Sequence, residues 1–170
     1  MATVTFQGNI CNLAGNEVNV GDNAPEIVVV NSDGLSDKLV GGAKENVQLL
    51  ITVPSLDTPV CAAETKKFNE KTAAINGIET TVVSMDLPFA AGRYCTAQGI
   101  KNLTVASDFR NKDFSNAYGV LIKDSALAGI TCRAIFIIDK DGKIVYKEIV
   151  SEITEEPNYE AALKVLQTTV

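Results

Sequence analysis

The chain carries two different hydrophobic rhythms, and they alternate. Short β-branched runs at Glu26–Asn31, Val47–Val53, Ile78–Met85 and Leu103–Ser107 read as strands. The Ile27–Val30 run is of the fully buried type. Between the second and third runs, Cys61, Thr65, Phe68, Thr72 and Ile75 fall at helical spacing on one stripe. Glu64, Lys66, Lys67, Glu70 and Lys71 are assigned to the other faces, and Gly77 ends that helix. Pro88 opens a second helix through Cys95 to about Gly99, and Arg110–Tyr118 reads as a third helical segment. Cys132–Asp139 and Lys143–Val150 flank Asp141-Gly142, a strong hairpin dipeptide. A final helix runs near Pro157–Thr168, with Tyr159, Leu163 and Leu166 on its apolar side. The first 20 residues alternate weakly around Gly8-Asn9 and predict a small β-hairpin.

This order predicts an α/β layered fold: a central mixed β-sheet flanked by helices, with an N-terminal β-hairpin. The sheet must be mixed, because the late hairpin is antiparallel while the helical crossovers join parallel strands. It is the element order of a thioredoxin-like sheet, although order alone does not single out that fold. At 170 residues, with no repeat, linker or low-complexity tract, residues 1–170 read as one domain with residues 1–20 as a hairpin extension.

Composition narrows the chemistry. The chain has 15 Lys+Arg against 21 Asp+Glu, a net charge of −6. Such a surface has no general attraction for nucleic acid or anionic membranes. No apolar run is long enough to span a bilayer. There are four cysteines and no histidine, which removes Ser-His-Asp and Cys-His catalysis and His-ligated metals. Cys11, Cys61, Cys95 and Cys132 are far apart in sequence and form no CxxC pair. Zinc-ribbon and thioredoxin-type redox motifs are therefore absent. Asp139-Lys140-Asp141-Gly142 has the beginning of a calcium loop without its remaining ligands, so it reads as a turn. Met1–Ile10 has neither a basic segment nor an apolar core of the secretory kind. The reading places the chain in the reducing cytoplasm, where cysteines are packed as small hydrophobes or used for their reactivity.

Cys61 follows a strand and a proline-bearing loop and sits in the first turn of a helix. A thiol of pKa about 8.5 is only a few per cent thiolate at neutral pH. Lowering it to about 6 takes about 3.4 kcal/mol of preference for the anion. A helix start supplies about 1–2 kcal/mol and a charged donor about 1.5–3 more. The helix start alone is insufficient, so a buried cation is required, and without histidine it must be Arg or Lys. On spacing alone, Cys61 as an ordinary buried residue stands equally open.

The whole string decides. Pro54, Thr58 and Cys61 stand at the spacing of the peroxiredoxin signature PxxxTxxC. The longer run Val53–Cys61 resembles the thiol peroxidase group of that family. So do Asp86–Ala90 with Arg93-Tyr94-Cys95, Ser107–Arg110, Tyr118–Ile122 and Arg133–Asp139. With Thr5–Asn9 and Glu156–Tyr159, the resemblance covers essentially the full chain. It implies a thioredoxin-like fold and a peroxidase that needs no metal, haem, flavin or other cofactor. By the same resemblance Cys61 is the peroxidatic thiolate, Thr58 hydrogen-bonds thiolate and peroxide, and Pro54 shields the pocket. Arg133 is the implied cation. Cys95 is the resolving cysteine, which closes an intramolecular disulfide with Cys61, the atypical two-cysteine pattern. Hydroperoxide substrates (hydrogen peroxide and alkyl hydroperoxides), recycling by thioredoxin, and a homodimer are implied likewise. Arg93 and Phe89 are placed at the mouth of the pocket near Cys95.

A disulfide needs Cα atoms about 4.4–6.8 Å apart, which Cys61 at one helix start and Cys95 inside another helix are not expected to meet in the reduced fold. Local unwinding is therefore expected on oxidation. Cys132 precedes Arg133 on a strand, so the two side chains face opposite ways and Cys132 is expected in the core. Cys11 is either packed or exposed and has no implied role. Three other readings remain: a redox sensor using the same disulfide, a holdase or structural protein without catalysis, and a general disulfide oxidoreductase. The intact Thr58, Cys61, Cys95 and Arg133 set argues against the second, and the missing CxxC against the third.

Overall fold

The computed structural model describes residues 2–170. Its centre is a seven-stranded mixed sheet in the order β10-β9-β5-β6-β7-β3-β4. Three parallel strands lie at the middle: β5 (Val47–Thr52), β6 (Ile78–Ser84) and β7 (Thr104–Ser107). β9 (Ala134–Ile138) pairs antiparallel with β5, and β10 (Ile144–Ile149) with β9. On the other side, β3 (Ile27–Asn31) is antiparallel to β7, and β4 (Asp37–Val40) closes the edge beside β3. The parallel connections are made by α1 (Pro59–Thr72) and α2 (Pro88–Gln98). Short α3 (Asp113–Ala117) follows β7, and α4 (Tyr159–Thr169) ends the chain. The predicted mixed sheet with flanking helices is present.

The N-terminal hairpin is also present, as β1 (Thr3–Phe6) and β2 (Asn9–Ala14). β2 additionally pairs with β8 (Leu121–Ile122), making a separate three-stranded sheet. Its tight turn uses Gln7 at φ 51° and Gly8 at φ 83°, the pair of positive φ values that matches strand twist in two-residue hairpins.

The period-two alternation of the strands sorts the core into two halves. Leu49, Ile51, Ile135 and Ile137 face one side and pack with Cys61 and Phe68 of α1, Ala91 and Tyr94 of α2, and Ala162 and Leu166 of α4. Leu50, Phe136 and Ile138 face the other side, where they meet Val4, Cys11, Leu13, Phe114 and Tyr118. The same parity divides Cys132 from Arg133. Cys132 is fully buried in the second half, as expected, whereas Arg133 contacts Cys61 in the first. Cys11 is packed.

Several elements differ from expectation. β4 and β8 are not predicted, because both are short and owe their conformation to pairing rather than to a hydrophobic run. β4 is a four-residue edge strand with Lys38, whose ammonium pairs with Glu79 at 3.2 Å, a common way to blunt an edge. β3 is buried at Val29 and Val30, but Val28 is half exposed, so the run is not buried throughout. α1 stops at Thr72 rather than continuing toward Gly77. Glu64 points inward, not outward. The last β-hairpin starts at Ala134, which leaves Cys132 and Arg133 just before the strand. No helix among the described residues is long and apolar enough to cross a membrane.

Candidate active site

The loop that leaves β5 carries the site. Asp86, just past β6, holds it: its carboxylate accepts from Ser55 Oγ (2.7 Å), the Leu56 backbone N–H (2.8 Å) and Ser84 Oγ (2.8 Å). Pro54, within the loop itself, is buried. Thr58 is the extended residue before α1, and Pro59 takes the first helical position, where its missing N–H costs nothing. Cys61 is thus the third helical residue, among the N–H groups that have no intrahelical acceptor and form the positive helix end.

Cys61 is fully buried, and the side chain facing it is Arg133, only 2% exposed. Arg133 Nη1 donates to Cys61 Sγ at 3.3 Å and to Glu64 Oε1 at 3.0 Å. Its Nε and Nη2 both donate to the Ile153 carbonyl, at 3.0 and 2.7 Å. The cation required by the thiolate argument is therefore in contact with the sulfur. Burial works against the guanidinium charge, but the neighbouring Cys61 and Glu64 outweigh it and raise its pKa.

Glu64 is the residue missed by pattern. Its carboxyl is fully enclosed, and Oε2 has no hydrogen-bond partner. Burial pushes its pKa up to about 7, with Arg133 opposing. Its position three residues after Cys61 places it on the same helical stripe. That spacing is the sequence signal for an inward Glu64, and its charge points the other way. Asp86 stands in the Asp86–Ala90 run without an expected role, and the Ile153 carbonyl has no local sequence signature.

Thr58 stands beside the helix start, but its hydroxyl donates to the Ser55 carbonyl at 2.9 Å, and the residue is exposed. The expected Thr58–Cys61 hydrogen bond is not among the bonds of the described residues. Tightening the loop has claimed that proton.

Cys95 lies in α2, half-buried, and all four cysteines are free thiols. Burial raises the Cys95 pKa, opposed by a hydrogen bond with the Ser32 side chain. Cys95 lines a cavity of about 710 Å³ together with Ser32, Gly92, Thr96, Lys101 and Thr104. Arg93 and Phe89 are not among the residues lining this cavity. Phe89 is 73% exposed on the outer face of α2. The two helices are tied together by Tyr94, whose hydroxyl donates to the Ala62 carbonyl at 2.7 Å. No group of three or more potential metal ligands occurs among the described residues.

Known proteins resemble the chain over nearly its whole length. The redoxin family model matches residues 19–163. The thiol peroxidase of Aquifex aeolicus is 61% identical over 158 residues, 93% of this chain and 92% of that protein. The thiol peroxidase of Campylobacter jejuni is 53% identical over 158 residues, 93% of this chain and 89% of that protein. Among solved structures, a peroxiredoxin-like protein from Aquifex aeolicus superimposes with a TM-score of 0.97 at 56% identity, covering all of this chain and 98% of that one. The chain belongs to the redoxin family, as a peroxiredoxin of the thiol peroxidase type and hence a peroxidase.

Proposed function

We propose that the chain reduces hydrogen peroxide and alkyl hydroperoxides through Cys61 and Cys95, with thioredoxin as the reductant. The observation that carries this reading is the 3.3 Å contact between Arg133 and Cys61 at the start of a buried helix. A guanidinium cannot lose its proton at physiological pH, so it favours thiolate over thiol throughout the working range.

In the first step the Cys61 thiolate attacks the terminal peroxide oxygen. The S–O bond forms as the O–O bond breaks, and the departing oxygen leaves as water or alcohol after taking up a proton. Cys61 is oxidised to a sulfenic acid. Arg133 balances the charge as it moves from sulfur to the leaving oxygen, the kind of electrostatic stabilisation that commonly dominates catalysis. Pro54 keeps bulk water from the sulfur. The Thr58 hydroxyl, turned from the Ser55 carbonyl toward the site, hydrogen-bonds the thiolate and the incoming peroxide.

In the second step the Cys95 thiol attacks the sulfenic sulfur, expelling water and forming the Cys61–Cys95 disulfide. This precedes over-oxidation to the sulfinic acid. Both cysteines lie in intact helices in the reduced structure. Disulfide formation therefore unwinds the first turn of α1, part of α2, or both, and breaks the Tyr94–Ala62 bond. Two electrons from a thioredoxin dithiol then restore both thiols. Antioxidant defence in the cytoplasm and a homodimeric state accompany this reading.

The test is peroxide consumption driven by NADPH, thioredoxin reductase and thioredoxin. Cys61→Ser is expected to abolish turnover. Cys95→Ser is expected to accept one oxidation, accumulate a trappable Cys61 sulfenic acid, and lose most thioredoxin-coupled cycling. Wild-type turnover no faster than that of a free thiol refutes the proposal.

A further inference from the structure

Arg133 is held by more than its two acidic neighbours. Its Nε and Nη2 converge on one carbonyl, that of Ile153, in the stretch between β10 and α4. A loop carbonyl can aim a guanidinium only as firmly as the loop itself is held. Here the N-terminal hairpin does the holding. The Thr5 N–H donates to the Ser151 carbonyl at 2.7 Å, and the Ile153 N–H donates to the Thr5 carbonyl at 2.8 Å. Thr5 and Glu152 thereby form an isolated parallel bridge across nearly the full length of the chain.

Glu152 locks this junction with four hydrogen bonds. Its Oε1 accepts from Thr5 Oγ1 (3.0 Å) and from the Gly8 N–H in the hairpin turn (2.9 Å). Its Oε2 accepts from the N–H and the hydroxyl of Thr154, at 2.9 and 2.7 Å. The positive φ values at Gln7 and Gly8 turn the Gly8 N–H toward this carboxylate. Hydrogen bonds from Thr154 and Gly8 hold the Glu152 pKa at about 2, so the lock stays charged over any working pH.

We infer that Glu152 is a positioning residue for the peroxidatic site: it fastens the β1–β2 hairpin to the 151–154 loop and so aims Arg133 at Cys61. This rests on the proposed role of Arg133 as activator of Cys61. The hairpin is then part of the catalytic support rather than an appendage.

The test reads Cys61 alone, through the pH dependence of its alkylation by iodoacetamide (followed on the Cys61 peptide by mass spectrometry) and the second-order rate with hydrogen peroxide. Glu152→Ala is expected to raise the Cys61 midpoint by about half a unit and to slow peroxide reduction about three-fold at the alkaline plateau. Glu152→Gln keeps the acceptor oxygen for part of the network and is expected to fall between that variant and wild type. Asn12→Ala is the control. Its side-chain amide donates to Asp124 at 2.7 Å while its backbone N–H, which alanine keeps, donates to the same carboxylate at 2.8 Å, so losing the amide loosens the hairpin at the end away from the 151–154 loop, and the variant is expected to leave the midpoint in place. Arg133→Lys is the reference for the underlying reading. If Arg133→Lys shifts the midpoint and Glu152→Ala does not, the inference alone is overturned. Equal shifts for Glu152→Ala and Asn12→Ala overturn it too, since the cause is then general loosening. An unmoved midpoint in Arg133→Lys overturns the role of Arg133 itself. If Glu152→Ala does not fold, Thr5→Val removes a single donor to Oε1, and an unmoved midpoint there refutes the inference.

Discussion

Glu64 and Cys61 compete for one guanidinium nitrogen, and that competition has a measurable size. Glu64 Oε1 lies 3.0 Å and Cys61 Sγ 3.3 Å from Arg133 Nη1. The two groups are therefore no more than about 6 Å apart. At an effective dielectric constant of about 20, two unit negative charges at that separation repel by about 3 kcal/mol, or about two pKa units. Full repulsion does not act at neutral pH, because burial places the Glu64 pKa at about 7 and the carboxyl is then half protonated. Glu64→Gln retains an oxygen to accept from Nη1 and removes the charge. The expected result is a Cys61 midpoint lower by about one unit, with a curve of single-proton steepness. Iodoacetamide alkylation of Cys61 between pH 4 and 9 measures both features. A midpoint that rises or stays in place refutes the reasoning.

The same substitution has a stability signature of definite sign. The Glu64 pKa is raised in the fold, from 4.5 to about 7, so the native state binds the proton more tightly than the unfolded chain. Its contribution is complete below about pH 4.5, declines as pH rises, and is gone above about 7. The swing is up to about 3 kcal/mol. Relative to wild type, Glu64→Gln is therefore expected to gain stability between pH 5 and pH 8 in urea denaturation. A constant difference across that window contradicts a buried, titrating Glu64.

Three other perturbations probe the supports of the site. Asp86→Ala removes the acceptor for Ser55, Leu56 and Ser84. It is expected to cost about 1–3 kcal/mol in thermal or urea unfolding and to slow peroxide reduction, because the Pro54–Val60 loop loses its anchor. Tyr94→Phe deletes the bond to the Ala62 carbonyl. It is expected to quicken amide exchange at the start of α1 and in α2, and to speed closure of the Cys61–Cys95 disulfide after one equivalent of peroxide. Unchanged exchange there counts against the unwinding step. Gly41→Ala places a Cβ against the Pro25 carbonyl at φ 82°, and a loss of about 3 kcal/mol or more in urea denaturation is expected.

What could be read from the chain depended on whether a signal was local. The β5–loop–α1 unit is local: a buried run, two prolines and a cysteine at a helix start, and the structure places it as expected. The strand parity that puts Arg133 and Cys132 on opposite faces is also local, and it brings the arginine to the sulfur. β4 and β8 are not local, since four-residue and two-residue strands exist only because β3 and β2 pair with them. The Glu152 junction is further from legible, because its partners Thr5 and Gly8 lie at the opposite end of the chain. Thr58 shows a subtler limit: a motif names a hydroxyl without saying which acceptor holds its proton at rest.

Glu64 is the instructive case, because both halves of the argument for it were present in the sequence. A position three residues after Cys61 shares its helical face, and a lone arginine entering an apolar strand needs an acidic partner away from water. Treating each charge separately sends Glu64 to solvent. Treating them together pairs it with Arg133, since a buried cation facing one thiolate and one carboxyl is cheaper than the same cation facing a thiol alone. Such a site holds one positive charge between two acids that cannot both ionise freely. The guanidinium that faces the Cys61 sulfur at 3.3 Å is thus shared with the Glu64 carboxyl, 3.0 Å from the same nitrogen.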